Sequence, residues 1–334
     1  MILTTYKSNA KADWSFNMSE TFFATLSPML VMFMCIIIGF VLKKKNLIPD
    51  NSDKVISKLE NYICVPALIM STFMNYCTVE SLSKQYNLII YSLIALVIAL
   101  AISLPLSKVF AGNDAYKRSI YKYALTFGNF SFMGNAIVPA ILGAADSEIL
   151  YKYLLFILPL NLAVYTWGII ILIPKSEGKQ NPLKNLLNPI FVAILIGAFL
   201  GLTGFNKFIP GFITTTIDYC KACMAPLAMI LTGFVIGGYS IKGLLSTKRV
   251  YIATVLRLFI IPAFLLFILK ILGASELVLT LALFAYATPL GMNTVVFPAA
   301  YGGETETGAS MAMISHTICI ISIPVMYALL TMVI

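Results

Sequence analysis

Residues 126–143 read T-F-G-N-F-S-F-M-G-N-A-I-V-P-A-I-L-G, and residues 287–303 read A-T-P-L-G-M-N-T-V-V-F-P-A-A-Y-G-G. Both stretches place Gly, Asn and Pro inside apolar segments that otherwise resemble membrane helices. A backbone group released from helical hydrogen bonding costs several kcal/mol in hydrocarbon unless protein or water satisfies it. Matching interruptions in the two halves of a chain are typical of secondary transporters, which hold the substrate where broken helices meet. We therefore predict two broken membrane helices with a binding site between them.

Composition indicates the class of protein. Hydrophobic residues make up 60% of the chain and charged residues 11%, whereas charged residues are near 25% in soluble domains. This excludes an ordinary soluble domain and predicts an all-α polytopic membrane protein. Ten apolar runs of about 20 residues, the length that spans a bilayer, lie near residues 20–42, 53–76, 86–108, 118–143, 149–174, 185–204, 211–238, 249–272, 276–300 and 307–333.

The ten predicted spans divide into two halves of five. A polar tail at 1–17, without the apolar core of a signal peptide, precedes a first repeat at 18–174; the sequence leaves open whether Met1 or Met18 is the true start. A connecting loop at 175–184 leads to a second repeat at 185–334. The halves also match around two prolines, as L-E-N-Y-I-C-V-P-A-L-I-M-S-T-F at 59–73 and I-D-Y-C-K-A-C-M-A-P-L-A-M-I-L-T-G-F at 217–234. Because each half has an odd number of spans, the second half crosses the membrane in the opposite orientation to the first. This predicts two inverted five-helix repeats, in which helices four and nine are the broken ones.

The net charge of +9 is an orientation signal rather than a nucleic-acid surface. Fifteen of the basic residues lie around the odd-numbered loops and six around the tail and even-numbered loops. Cytoplasmic loops carry the excess of Lys and Arg, so both termini and the even loops are predicted outside. The odd-loop set is Lys43, Lys44, Lys45, Lys54, Lys58, Lys108, Lys117, Arg118, Lys122, Lys175, Lys179, Lys184, Lys242, Lys248 and Arg249.

Reactive and catalytic motifs are missing from the sequence. The six cysteines are scattered, and the C-x-x-C at Cys220 and Cys223 is interpreted as small apolar residues on a membrane helix. No metal site or cofactor is predicted. Walker, H-E-x-x-H and G-x-S-x-G motifs are absent, which argues against ATP drive and against an enzyme. Mid-membrane aspartate pairs, which carry cations in antiporters, are also absent.

The candidate site consists of the polar and helix-breaking residues of the interrupted spans. Glycine costs about 1 kcal/mol in a helix interior and proline removes an amide donor, while asparagine adds uncharged donors and acceptors. The alternative is that these residues only kink or pack the helices. Lys221 belongs to the set as an intramembrane cation, with snorkelling to the headgroups as its alternative. The predicted substrate-binding set is Asn129, Gly134, Asn135, Asn161, Pro289, Gly291, Asn293 and Lys221.

These motifs resemble the auxin efflux carrier family, which includes plant PIN proteins and bacterial malate and malonate permeases. The text G-N-F-S-F-M-G at 128–134 is similar to the family's N-x-G-F-M-G-x-P. The text T-P-L-G-M-N-T-V-V-F-P-A-A-Y-G-G-E-T-E-T-G-A-S at 288–310 is similar to P-x-x-x-N-x-x-x-x-A-x-x-Y-G followed by A-S, and I-S-I-P at 321–324 also fits. The resemblance implies a scaffold of helices 1, 2, 6 and 7 and a mobile transport domain of helices 3–5 and 8–10. Ala136 replaces the family's crossover proline, with Pro139 three residues on, so the shape of the site is not carried over.

The prediction is a secondary carrier of a small organic anion, such as a mono- or dicarboxylate, with elevator-like alternating access. We predict a multi-pass protein of the cell membrane that contacts membrane lipid and has no nucleic-acid partner. The alternatives are a membrane receptor or sensor that binds without transporting, and an ion-coupled antiporter of related architecture. The sequence leaves open the substrate, the direction, coupling to H⁺ or Na⁺, and whether a homodimer forms.

Overall fold

The computed structural model of the protein describes residues 18–142, 148–174, 188–300 and 303–333. These residues are mostly helical, and no strand is formed among them. Up to residue 174 the helices are Met18–Lys44, Ser52–Leu59, Val65–Tyr76, Val79–Ala111, Ala115–Thr126, Asn135–Leu142, Glu148–Ala163 and Ile169–Leu172, with π-helical turns at Glu60–Cys64, Phe130–Gly134 and Val164–Gly168.

The second part of the chain continues in the same manner. Its α-helices are Pro189–Thr203, Gly211–Ala222, Met224–Gly237, Ile241–Leu245, Lys248–Val255, Ile261–Ile271, Glu276–Tyr286, Asn293–Ala300 and Glu306–Val333. A 3₁₀ turn forms at Phe205–Phe208 and a π-helical turn at Leu256–Ile260. The predicted tail at 1–17, the predicted connecting loop at 175–184, and the ends of the quoted stretches at Gly143 and 301–302 lie outside the described residues.

Side-chain caps explain where several helices begin. Asp114 accepts hydrogen bonds from the backbone N–H groups of Tyr116 and Lys117, both at 2.9 Å. Thr78, Asn188 and Ser275 cap the helices that follow them in the same way. A capping oxygen satisfies an N–H that the first helical turn leaves without a partner, so each of these short polar residues marks a helix start at the edge of an apolar run.

The described part of the chain contains six helices that are long and apolar enough to cross a membrane. They are Ser19–Lys44, Val79–Ala111, Glu148–Leu172, Gly211–Gly237, Lys248–Ile271 and Glu306–Val333. Predicted spans four, six and nine contain shorter apolar helices, at Phe130–Leu142, Pro189–Thr203 and Glu276–Tyr286. The second predicted span is a continuous helical run over 52–76, but its first turns carry charged residues. The protein is therefore a multi-pass helical membrane protein.

Two of the interruptions cross each other inside the molecule. After Thr126 the backbone becomes extended at Phe127, and after Tyr286 the chain is non-helical until Asn293. An isolated antiparallel bridge pairs Gly128 of the first piece with Leu290 of the second. The crossing therefore brings four half-helix ends to one point.

Glycines allow the first helix to lie directly against the Met224–Gly237 helix. A β-carbon at Gly39 would overlap the carbonyl oxygen of Ile230, and one at Gly233 would overlap that of Ile36. Backbones approach this closely in membranes only where small residues remove the side chains between them. The pair of helices therefore forms a tightly packed wall beside the crossing.

Candidate functional site

A cavity of about 450 Å³ lies beside the crossing. Two groups of helices line it. One group contributes Ser57, Lys58, Asn61, Tyr62, Val65, Asn188, Pro189, Ile190, Ala228, Leu231 and Thr232. The other contributes Gly128, Asn129, Phe130, Ser131, Phe132, Asn161, Val164, Tyr165, Gly291, Met292, Asn293, Val296 and Phe297. Small-molecule sites usually occupy about 300–1,000 Å³ and combine an apolar wall with a few polar groups, and this cavity has both properties.

Asn129 lies at the crossing and is held at both ends. Its backbone N–H donates to the carbonyl oxygen of Pro289 at 2.7 Å, and its side-chain nitrogen lies 3.0 Å from Nε2 of His316. Nδ1 of His316 lies 2.7 Å from the carbonyl oxygen of Ala312, which can only accept. Nδ1 therefore carries the proton of the neutral ring and Nε2 accepts from Asn129. Because an amide nitrogen has two N–H groups, Asn129 keeps a second donor.

Asn293 occupies the matching position at the other broken segment. Its side-chain nitrogen donates to the hydroxyl oxygen of Tyr123 at 2.7 Å, and Tyr123 is buried within the Ala115–Thr126 helix. Each broken segment thus has an asparagine whose amide is oriented by another part of the fold. As with Asn129, one N–H of the amide is used and one is left. The two side chains both line the cavity.

Three of the cavity's walls are π-helical turns. The turns Glu60–Cys64, Phe130–Gly134 and Val164–Gly168 each contribute residues to the lining. A π turn inserts an extra residue into a helix and loosens its hydrogen bonding, and such turns occur frequently at functional sites. Here the three turns bring the polar residues Asn61, Ser131 and Tyr165 into the cavity lining. An unbroken apolar helix would not supply polar groups at these places.

The remaining predicted residues divide into lining and supporting positions. Asn161 and Gly291 line the cavity. Pro289 supports the crossing through its carbonyl oxygen. Gly134 is not in the lining; a β-carbon there would overlap the hydroxyl group of Tyr153, which donates to the carbonyl oxygen of Phe130 at 2.9 Å. These positions are brought together around the crossing, although Pro289 and Gly134 act through other groups.

Asn135 is buried away from the cavity. It is 1% exposed, and among the described residues neither its side-chain oxygen nor its side-chain nitrogen has a hydrogen-bond partner. An unpaired buried amide costs free energy. The sequence pattern groups it with Asn129 because both follow a glycine, but Asn135 is the first residue of a helix and is not in the cavity lining.

Lys221 does not line the cavity. Its side chain is 8% exposed, and its ammonium lies 3.3 Å from a carboxylate oxygen of Asp218 and 3.4 Å from the hydroxyl oxygen of Ser71. Asp218 also accepts from Ser71 at 3.2 Å. The lysine therefore takes part in contacts between two helices. That it contacts the substrate stays a prediction, and the structure places it outside the cavity lining.

Lys58 is the basic residue that the described part of the structure brings to the cavity. It belongs to the Ser52–Leu59 helix and its side chain is exposed. The charge pattern assigns it to a cytoplasmic loop because Asp53, Lys54 and Lys58 make this turn polar. Its spacing of three residues before Asn61, on the same helical face, is the signal that could have identified it.

Arg257 lies at the crossing on the side of the half-helix C-termini. It is fully buried, and its NH1 group donates to the carbonyl oxygens of Leu125 at 3.2 Å and Thr126 at 3.3 Å. Its NH2 group donates to the carbonyl oxygen of Ala285 at 3.4 Å. The guanidinium carbon also lies 5.4 Å from the centre of the Tyr286 ring, which is the geometry of a cation–π contact.

Comparison with known proteins identifies the family of the chain. No curated protein gives a significant match to the chain. A family model described as membrane transport protein matches residues 24–327, which is nearly the whole chain and includes both broken segments. The protein is therefore a membrane transporter and belongs to the membrane transport protein family, the auxin efflux carrier family.

Proposed function

We propose that the protein is a secondary carrier of a small organic anion, such as a mono- or dicarboxylate, which binds in the cavity beside the crossing. The observation that carries the proposal is the convergence of Asn129 and Asn293 with the N-terminal ends of two half-helices at one cavity wall. Each asparagine retains an N–H donor that a carboxylate oxygen can accept. The pair orients the substrate.

The electrostatics of the cavity favour an anion. The N-terminus of a helix carries roughly half a positive charge and presents N–H groups without helical partners. The runs that begin at Phe130 and Asn293 both start at the cavity. No Asp or Glu occurs among the described residues that line it, and Lys58 adds a full positive charge. A carboxylate is attracted from both sides without an arginine.

The distribution of lining residues supports an elevator mechanism within ten spans arranged as two inverted repeats. We assign spans 1, 2, 6 and 7 to a scaffold and spans 3–5 and 8–10 to a transport domain. Residues 57–65, 188–190 and 228–232 of the lining belong to the scaffold, and residues 128–132, 161–165 and 291–297 to the transport domain. A substrate at their interface is carried when one set of helices slides past the other.

The position of the cavity supports an assignment of the conformational state. Its lining includes Lys58 and Asn188, which flank the first and fifth loops of the chain. These loops carry much of the basic excess and are assigned to the cytoplasm. We therefore assign the conformation as inward-facing, with both termini outside.

Flux into proteoliposomes tests the proposal. The full-length protein is reconstituted, and uptake of ¹⁴C-labelled acetate, lactate, malate and succinate is compared with empty vesicles. We expect uptake of at least one acid, and a thermal shift of the detergent-solubilised protein by the same acid. Binding without uptake would identify a receptor or sensor, and neither binding nor uptake would reject the anion assignment.

Single substitutions test whether the substrate binds at the crossing. Asn129→Ala and Asn293→Ala are each expected to abolish uptake while folded protein remains in the membrane, since either change removes a donor and releases its partner at the crossing. Asn75→Ala is the matched control, because Asn75 is exposed and lies outside the cavity lining. Wild-type uptake in both cavity variants would exclude the crossing as the binding locus.

A further inference from the structure

Arg257 is a fully buried charge at the crossing that lies outside the cavity lining. Among the described residues, its hydrogen bonds go to backbone carbonyls, and no carboxylate forms an ion pair with it. A buried cation without a counter-ion is costly in a membrane and is by default functional. Its partners therefore have to supply the compensating negative charge.

The carbonyls that contact Arg257 come from two half-helix C-termini. Leu125 and Thr126 end the helix before the first interruption, and Ala285 lies in the last turn before the second. Each helix C-terminus carries roughly half a negative charge on carbonyls that have no helical partner. Two such ends sum to about one negative charge, which the single positive charge of a guanidinium balances.

We infer that Arg257 is the positioning residue of the transport site: an internal cation that joins the two half-helix C-termini and thereby holds the opposite, N-terminal ends toward the substrate. The inference rests on the proposed function and adds that transport does not require a bound coupling cation at the crossing. In transporters with broken helices, half-helix C-termini and unwound carbonyls coordinate the coupling Na⁺ or H⁺. Here a covalently attached cation occupies that position, so the crossing needs no bound metal ion.

The packing around the guanidinium supports a fixed rather than an occasional contact. A β-carbon at Gly128 would lie 2.5 Å from NH2 of Arg257 and 2.5 Å from the side-chain oxygen of Thr288. The non-helical segment at 127–129 therefore needs glycine where it passes the guanidinium. Tyr286 covers the guanidinium from another side. Asn129 follows Gly128 directly, so a displacement of Arg257 is transmitted to the asparagine that faces the cavity.

The first test uses wild-type protein and the substitutions Arg257→Lys and Arg257→Gln in proteoliposomes, with the labelled acid that gives the highest uptake. Wild-type uptake is expected to be equal in Na⁺, K⁺ and choline buffers. Arg257→Gln is expected to lower the maximal rate at least about tenfold, because charge-assisted hydrogen bonds to two half-helices are lost. Arg257→Lys keeps the charge and is expected to retain an intermediate rate. Wild-type uptake that requires Na⁺, or Arg257→Gln uptake at the wild-type rate, would overturn the inference.

The second test does not depend on transport. Arg257→Ala leaves a space bounded by carbonyl oxygens, and free guanidinium at low millimolar concentration is expected to raise the Tm of this variant but not that of the wild type. The change in Tm caused by ammonium is compared with that caused by guanidinium in the same assay. If guanidinium leaves the Tm of Arg257→Ala unchanged, the position does not hold a cation and the inference fails. This result stands even if no tested acid is transported, in which case only the proposed function fails.

Discussion

At the scale of single residues, the site depends on neutral amides that other parts of the fold hold in place. His316 orients Asn129, and Tyr123 orients Asn293, from two different helices. Side chains locked by supporting hydrogen bonds bind a ligand without first having to be ordered. In the proposed carrier, both amides are therefore in place before a carboxylate binds.

The two lysines near the scaffold give a direct prediction. Lys58→Gln is expected to raise the KM for the transported acid about two- to fivefold, because an exposed ion pair is worth up to about 1 kcal/mol and 1.4 kcal/mol corresponds to tenfold. Lys221→Gln is the matched control and is expected to leave the KM unchanged, since its ammonium contacts Asp218 and Ser71 outside the cavity. Concentration-dependent uptake measures both. A larger KM effect from Lys221 than from Lys58 would contradict the assignment.

Sequence patterns locate some of these residues and not others. Asn129, Asn293 and Gly291 can be found because each interrupts an apolar run, which is visible in one dimension. For Lys221, the sequence gives the depth in the membrane but not the direction in which the side chain faces, and the structure places it outside the cavity lining. Lys58 is not recognised because it lies in an ordinary amphipathic helix, and Asn61 is not recognised because it lies in a π-helical turn without glycine or proline. Residue type is readable from sequence, whereas orientation depends on the packing of neighbouring helices.

At the scale of helices, interruptions and close contacts have different effects. The interruptions at 127–129 and 287–292 create the crossing, and the π-helical turns shape the walls of the cavity. The breaks are predictable because Gly, Asn and Pro mark them. The π-helical turns at Glu60–Cys64 and Val164–Gly168 are not predictable from the sequence. They contain no glycine or proline before their last residue, and their residues are compatible with an ordinary α-helix. Only tertiary contacts decide whether such a helix takes up an extra residue.

The contact between the first helix and the Met224–Gly237 helix gives a prediction about folding. Gly39→Leu and Gly233→Leu are each expected to lower the yield of monodisperse protein and its Tm, because the new side chain meets a backbone carbonyl that cannot rotate away. Overpacking costs about 1–3 kcal/mol where side chains can adjust, so the upper part of that range is expected. Gly211→Ala is the control, since a β-carbon added at Gly211 would have no neighbouring atom within 4 Å. Size-exclusion chromatography and thermal unfolding in detergent measure the effect; equal behaviour of all variants would show that the helices are not in tight contact.

At the scale of the whole molecule, the orientation proposed from the charge pattern can be tested at two exposed lysines. Lys45 follows the first helix, and Lys207 lies between Pro189–Thr203 and Gly211–Ala222; both side chains are exposed. In a variant that lacks the six native cysteines, a cysteine at 45 is expected to react only after the membrane is permeabilised, and a cysteine at 207 in intact cells. The reverse pattern would place both termini in the cytoplasm and would make the cavity outward-facing.

The elevator mechanism requires contacts between scaffold and transport domain to break in every cycle, whereas contacts within the transport domain persist. Phe73 and Tyr151 join predicted spans two and five, with ring centres 5.4 Å apart. Phe284 and Tyr327 join predicted spans nine and ten, with ring centres 5.2 Å apart.

In the cysteine-free variant, bridging cysteines at 73 and 151 with Hg²⁺ is expected to stop uptake, and removing the metal with a dithiol is expected to restore it. Cysteines at 284 and 327, bridged in the same way, are expected to leave uptake close to that of the unbridged variant, because the proposed mechanism moves these two helices as one unit. If uptake continues while cysteines 73 and 151 are bridged, sliding of the two sets of helices is rejected. An elevator cycle cannot be completed while the transport domain is cross-linked to the scaffold.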